Sequence, residues 1–141
     1  MLATKEFTFD CAHRLPNHEG LCKNIHGHTY KVEVTVSGGL QGEGPEDGMI
    51  VDFKRLKVIC NKLFNQYDHA YVSSIKDTEV NAFMQKMHFK LVIFPGSPTA
   101  ERMAKAFYNV LQEWTKDEKF CIAEVKVWET PTSYSTYNES I

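Results

Sequence analysis

The chain has 141 residues, enough for one domain with a proper core, and a single unit over 1–141 is expected. Apolar residues make up 43% and charged residues 24%, the balance of a soluble globular chain rather than a disordered or membrane one. A net charge of -2 without a basic run gives no reason to expect nucleic acid, no apolar run reaches membrane-spanning length, and the opening Met-Leu-Ala-Thr-Lys-Glu lacks the apolar core of a secretory leader; a cytoplasmic location with no membrane partner is expected.

In chain order, residues 3–13 read as a first strand whose odd positions Phe7, Phe9, Cys11 and His13 form one face. After a loop carrying Cys22, residues 26–37 read as a second strand. His26, His28, Tyr30, Val32, Val34 and Val36 share one face there, and Thr29, Lys31, Glu33 and Thr35 the other. The five glycines and one proline between Ser37 and Gly48 mark a turn or flexible hairpin connection. Asp52 is the expected N-cap of a helix with Phe53, Leu56, Cys60, Leu63, Phe64 and Tyr67 at helical spacing. Ending near Tyr67, it leaves Asp68 and His69 exposed just beyond its C-terminus. A short helix from Asp77, with Val80, Phe83, Met84 and Met87 on one side, precedes a short strand over His88–Phe94 and a turn at Pro95-Gly96. Ser97 as N-cap and Pro98 at the first helical position open a longer helix with Met103, Phe107, Val110, Leu111 and Trp114 as its buried stripe, ending before Asp117. The last strand runs from Cys121 to Glu129, with Cys121, Ala123, Val125, Val127 and Glu129 facing inward, and the polar tail from Tyr134 is expected to fray. The whole reads as one α+β unit. Thr8, Asp10, Lys31, Glu33, Thr35, Glu124 and Lys126 make the outward strand faces too polar for a second helical layer.

Four ionisable residues stand at the ends of inward strand faces, and three of them, His13, His26 and His28, are histidines. His26 and His28 point the same way, roughly 7 Å apart at about 3.3 Å per residue, and pairing of the two strands brings His13 to the same end. Gly27 between them lets another backbone or a ligand come close. A lone histidine is ordinarily a surface or hydrogen-bonded core group. Three at the ends of inward registers point to a metal, and three neutral imidazoles with an open fourth position suit catalytic zinc. The four cysteines lack a C-x-x-C pairing and read as thiols, three of them on apolar faces. Cys22 lies instead in a polar loop just before two of the histidines. There it is a base or nucleophile with a lowered pKa beside the cation, a fourth ligand, or an incidental loop residue. Glu129, completing an apolar face, is either paired with a ligand or turned to water at the strand end.

The segments Phe7-x-Phe9-x-x-Ala12-His13-Arg14-Leu15, Cys22-x-x-x-His26-Gly27-His28-x-Tyr30, Met49-Ile50-Val51-Asp52-Phe53, Asp68-His69, Pro98-Thr99-Ala100-Glu101 and Val127-x-Glu129-Thr130 together resemble the 6-pyruvoyl-tetrahydropterin synthase and 6-carboxytetrahydropterin synthase family. They stand in the family order over nearly the whole chain. The resemblance implies the T-fold, a four-stranded antiparallel sheet with two long helices on one face, here with an extra short helix and strand near 78–94. It implies zinc on His13, His26 and His28, a proton-abstracting Cys22 acting with Asp68 and His69, and a pterin anchored by Glu129, with Thr99 and Glu101 as further substrate-binding positions. Three residues between Cys22 and His26 resemble the bacterial carboxy-forming branch, which supplies queuosine and related deazapurine pathways. The implied reaction takes 7,8-dihydroneopterin triphosphate to 6-carboxy-5,6,7,8-tetrahydropterin, acetaldehyde and triphosphate; the pyruvoyl-forming reaction and a non-catalytic zinc or pterin binder are the alternatives. The implied assembly is a hexamer of two trimers with active sites at subunit interfaces. Two departures stand out. Cys11 replaces a common alanine, and residues 80–96 look like an insertion.

Overall fold

The computed structural model describes residues 1–139. Two long strands, β1 (Leu2–His13) and β2 (His26–Gly38), run antiparallel with Phe9 opposite Tyr30 and His13 opposite His26. Their alternation sorts side chains as the sequence implies. Phe7, Phe9, Cys11, Tyr30, Val32, Val34 and Val36 are buried, and Thr8 and Asp10 are exposed on the other face. The chain continues through α1 (Phe53–Phe64), β3 (Ala70–Ser74), α2 (Thr78–Lys86), β4 (Leu91–Phe94), α3 (Ala100–Trp114), β5 (Phe120–Thr130) and β6 (Ser133–Tyr137).

The sheet has six strands in the order β4-β3-β1-β2-β5-β6, so the expected four-stranded sheet is corrected. β1, β2, β5 and β6 do form an antiparallel ladder, but β3 joins β1 in parallel and β4 joins β3 in parallel. All five residues of β3 are buried, so it lacks the alternation that betrays a strand with one wet face. β6 is the opposite case. The polar tail from Tyr134 is expected to fray, yet Ser133–Tyr137 pairs with β5, with Tyr134 against Trp128 (ring centroids 4.3 Å apart) and Tyr137 against Tyr108 (5.1 Å).

α1 and α3 lie together on one face of the sheet. Phe64 of α1 and Phe107 of α3 meet with ring centroids 5.2 Å apart, and Phe9 sits 5.8 Å and 6.0 Å from them. Leu56, Met103, Phe107 and Leu111 are fully enclosed in this core, each such burial contributing roughly 1.5–3 kcal/mol. Phe53 and Trp114, at the helix ends, are exposed instead. Asp52 caps α1 through the Lys54 N–H at 2.8 Å, as expected, but the helix closes at Phe64, and Tyr67 is buried in the turn that follows. Ser97 does not cap α3. Thr99 does, its hydroxyl accepting from the Arg102 N–H, which leaves Pro98 outside the helix with its carbonyl free to point elsewhere. The stripe expected of α2 is also corrected. Met84 is buried along with the polar Asn81, whereas Phe83 and Met87 are exposed.

The inward set of β5 changes partway along the strand. Thr35 pairs with Glu124 but Val36 with Ile122, leaving Ala123 as a bulge. Phe120 and Ile122 face the core before it and Val125 and Val127 after it, so Cys121 is exposed rather than inward. A second irregularity against β6 falls at Glu129 itself, between Trp128 and Thr130, and Glu129 still stands 3.8 Å from His28. Among the described residues no helix is long and apolar enough to cross a membrane.

Candidate metal centre and active site

The β1–β2 register places His13 opposite His26 and Cys11 opposite His28 at one end of the ladder. The ring centroids of the three histidines lie 4.6–5.2 Å apart, and one ligand atom from each falls within 4.8 Å of the others. Gly27 eases the close passage of the β1 backbone, since a Cβ there would stand 3.3 Å from the Cys11 carbonyl oxygen.

Backbone carbonyls select the tautomers. A carbonyl can only accept, so the Nδ1 of His13 donates to Pro98 at 2.9 Å and the Nδ1 of His26 donates to Asn24 at 2.7 Å. Both Nε2 atoms then carry lone pairs, and these face one another at 3.1 Å. The Nε2 of His28 is buried with no hydrogen-bond partner among the described residues, 3.8 Å from Glu129 Oε1. Lone pairs aimed at one point repel unless a cation lies between them. Burial, the first cause in each case, lowers the pKa of His13 and of His28, which keeps them neutral and ready to ligate. The donor set therefore fits a divalent metal ion. Among the described residues the converging group contains no cysteine.

Cys22 sits half-buried in a single 3₁₀ turn, Leu21–Lys23, with its carbonyl accepting from the Leu15 N–H at 2.8 Å. Cys11 differs sharply from it. Burial, then the negative charges of Asp10, Asp68 and Glu129, push its thiol up to about 12, so it stays protonated and inert at neutral pH.

Asp68 and His69 follow α1 as expected, and both are tied to β1 at Asp10. The Asp68 carboxylate accepts from the Asp10 N–H at 3.0 Å, and the His69 N–H donates to the Asp10 carbonyl at 2.7 Å. His69 takes a left-handed backbone (φ 61°), which directs its side chain outward, 80% exposed, with Nδ1 3.0 Å from Asp68. The Asp10 N–H first, and His69 second, hold the Asp68 carboxyl below its usual range, so it is ionised at neutral pH and orients the imidazole.

Two depressions meet at His28 and Thr29. One, of about 440 Å³, is walled by Asp10, Ala12, Gly27 and His69; the other, of about 500 Å³, by Lys31, Trp128, Glu129 and Thr130. His69 and Glu129 thus lie in separate depressions that share His28 and Thr29. Cys22 lines neither depression, and neither do Thr99, whose hydroxyl caps α3, and Glu101, exposed on the first turn of α3. Sequence reasoning missed the Pro98 and Asn24 carbonyls, which carry no side-chain signature. Arg14 carries no local signal of its partner either, because Asp77 lies 63 residues away.

The family model described as 6-pyruvoyl tetrahydropterin synthase matches residues 3–140. A Haemophilus influenzae protein named 6-carboxy-5,6,7,8-tetrahydropterin synthase is 39% identical over 96% of this chain and 97% of its own length. A protein of the same name from Synechocystis is 35% identical over 94% of this chain and 89% of its own. Among solved structures, an uncharacterised protein of Wolinella succinogenes superposes with a TM-score of 0.83 at 22% identity, covering 99% of this chain and 98% of that one. The 6-pyruvoyl tetrahydropterin synthase of Plasmodium vivax superposes with a TM-score of 0.73 at 24% identity, covering 100% and 99%.

Proposed function

This chain belongs to the 6-pyruvoyl tetrahydropterin synthase family, and from that premise we propose that it is a 6-carboxy-5,6,7,8-tetrahydropterin synthase. It converts 7,8-dihydroneopterin triphosphate to 6-carboxytetrahydropterin, acetaldehyde and triphosphate in the cytoplasm, supplying queuosine and related deazapurine synthesis. The observation that carries this reading is the open histidine cluster with Glu129 beside it, since the converging ligand atoms include no thiol to close the site. Support for the carboxy outcome over the pyruvoyl one comes from the names of the Haemophilus and Synechocystis relatives and from the three-residue spacer between Cys22 and His26.

His13, His26 and His28 would hold the ion, and three neutral imidazoles suit zinc. Polarisation of the substrate's side-chain oxygens, which acidifies the neighbouring C–H, is the chemistry such an ion supplies. The chain's own groups do the rest. The Cys22 thiolate takes the carbon-bound proton, and His69, oriented by Asp68, moves protons at the substrate oxygens. Glu129 accepts two parallel N–H bonds from the 2-amino group and ring nitrogen of the pterin, a charge-assisted pair that fixes the ring in place. Thr99 and Glu101, at the start of α3 and outside both depressions, are assigned to substrate binding by the family resemblance alone. Cys22 and His69 do not share a wall within one chain, which suits a site completed between subunits; the hexamer of two trimers is the assembly the family resemblance implies. The polar outward sheet face and the free strand edges suit that assembly.

Mass analysis of the products formed from dihydroneopterin triphosphate tests the reading. 6-Carboxytetrahydropterin with acetaldehyde is expected. A 6-pyruvoyl product would assign the sister reaction, and tight pterin binding without conversion would make the chain a binding protein.

A further inference from the structure

Arg14 follows the proposed ligand His13 directly, and its guanidinium reaches in two directions. Nε and Nη2 fork onto the Asp77 carboxylate at 2.7 Å and 3.3 Å, while Nη1 donates to the Lys23 carbonyl at 3.1 Å. The next residue, Leu15, donates its N–H to the Cys22 carbonyl at 2.8 Å. Two successive carbonyls of the cysteine turn, those of Cys22 and Lys23, are thus held by the stretch of chain that continues from β1.

Asp77 is placed for this task rather than for its own helix. It occupies the N-cap of α2 but makes no side-chain cap bond, so its carboxylate is committed to Arg14. Its side chain is 8% exposed and its backbone is fixed, the Asp77 N–H donating to Ser74 and the Asp77 carbonyl accepting from Asn81, each at 3.0 Å. The Asn81 amide adds a bond to the Ser74 carbonyl at 2.9 Å. The carboxylate therefore stands on a rigid corner between β3 and α2. A forked, charge-assisted, partly buried pair of this kind fixes direction as well as distance, which a lysine could not reproduce.

We propose that Arg14 and Asp77 are positioning residues for Cys22, and that the segment containing α2 acts in the active site by supplying the anchor for the cysteine turn. The inference rests on the reading of Cys22 as the proton-abstracting group. Small displacements at such a group are costly, about 100-fold for about 1 Å. A tether that loosens the turn without removing the thiol should act on kcat rather than on substrate binding.

The test compares Arg14→Lys, Asp77→Asn and the double variant with the unaltered holoenzyme. It measures bound zinc, kcat and KM with dihydroneopterin triphosphate, and the rate of Cys22 alkylation by iodoacetamide, read by peptide mass so that the exposed Cys121 is counted separately. Expected are a kcat about tenfold lower with KM within about twofold, unchanged zinc, Cys22 alkylation altered at least about threefold, and a double variant no worse than the poorer single one. Unchanged kcat and alkylation in both single variants would overturn the proposal. So would zinc lost in step with kcat, since the pair would then only be supporting His13. Should Asp77→Asn fail to fold, Arg14→Lys decides alone. Full activity of Cys22→Ala would sink the thiol's catalytic role and with it any positioning for catalysis, whereas an inactive Cys22→Ala beside unchanged alkylation in Arg14→Lys would sink the tether alone.

Discussion

The histidine cluster and the groups assigned to proton transfer sit at the same end of the sheet but are held in contrasting ways. His13 is 1% exposed, set at the end of the β1–β2 ladder with β3 on its other side, and locked by the Pro98 carbonyl. His69 has 80% of its side chain in solvent, and Cys22 rides on a single turn of 3₁₀ helix. A metal site gains from rigidity, because ligands that need no rearrangement lose no conformational entropy on binding. Groups that must take and return protons need access to substrate and solvent, and they are steadied instead by side-chain pairs such as Asp68 with His69.

Breaking the comparison at its rigid side should give the largest effect. His28→Ala is expected to lose far more metal affinity than the roughly 10- to 100-fold of an outer-shell change, while Cys22→Ala keeps its metal. Elemental analysis after gel filtration reads this directly. If Cys22→Ala strips the metal as completely as His28→Ala does, the two regions are one site and the thiol is a ligand.

The exposed side should respond in turnover alone. Cys22→Ala and His69→Ala are each expected to lower kcat by about 10²- to 10⁴-fold with metal and pterin still bound, and their losses should not add, as for groups that work as a unit. Steady-state kinetics on the single and double variants checks this. Turnover by Cys22→Ala close to normal would pass the base role to His69.

A smaller effect sharpens the boundary between the two regions. Glu129 is 3.8 Å from His28 and lines the depression that His69 does not. Glu129→Gln should weaken pterin binding about 10- to 100-fold, the worth of a charged hydrogen bond of roughly 1.5–3 kcal/mol, and leave metal content unchanged. Calorimetry with a pterin is the measurement, and unchanged affinity would remove Glu129 from the anchor role.

The long strands and the histidine cluster are legible because strand alternation is local. Once Phe7, Phe9 and Cys11 are assigned inward, His13 must follow, and the same parity carries His26 and His28 with Tyr30. Asp52 could be read as a cap because capping involves residues two or three apart. The cap of α3 is read two positions early, at Ser97 instead of Thr99, because Pro98 suits both N1 and the residue outside the cap. Cys121 was misread because a single bulge at Ala123 reverses the parity behind it, and nothing in Cys-Ile-Ala-Glu-Val marks where the extra residue falls.

By itself the sequence determined what repeats at short range: the faces of β1 and β2, the helical stripes of α1 and α3, and the convergence of three histidines at one ladder end. Only the tertiary structure decided what depends on partners far along the chain. Ala70–Ser74 becomes a strand because β1 and β4 flank it, Ser133–Tyr137 because β5 offers an edge, and the His13 tautomer because a carbonyl 85 residues away lies against it. Arg14 finds Asp77 across 63 residues in the same way. The reason is physical. Alternation and helical periodicity express the geometry of one chain segment, whereas satisfying a buried donor or closing a sheet edge depends on which other segment happens to arrive there.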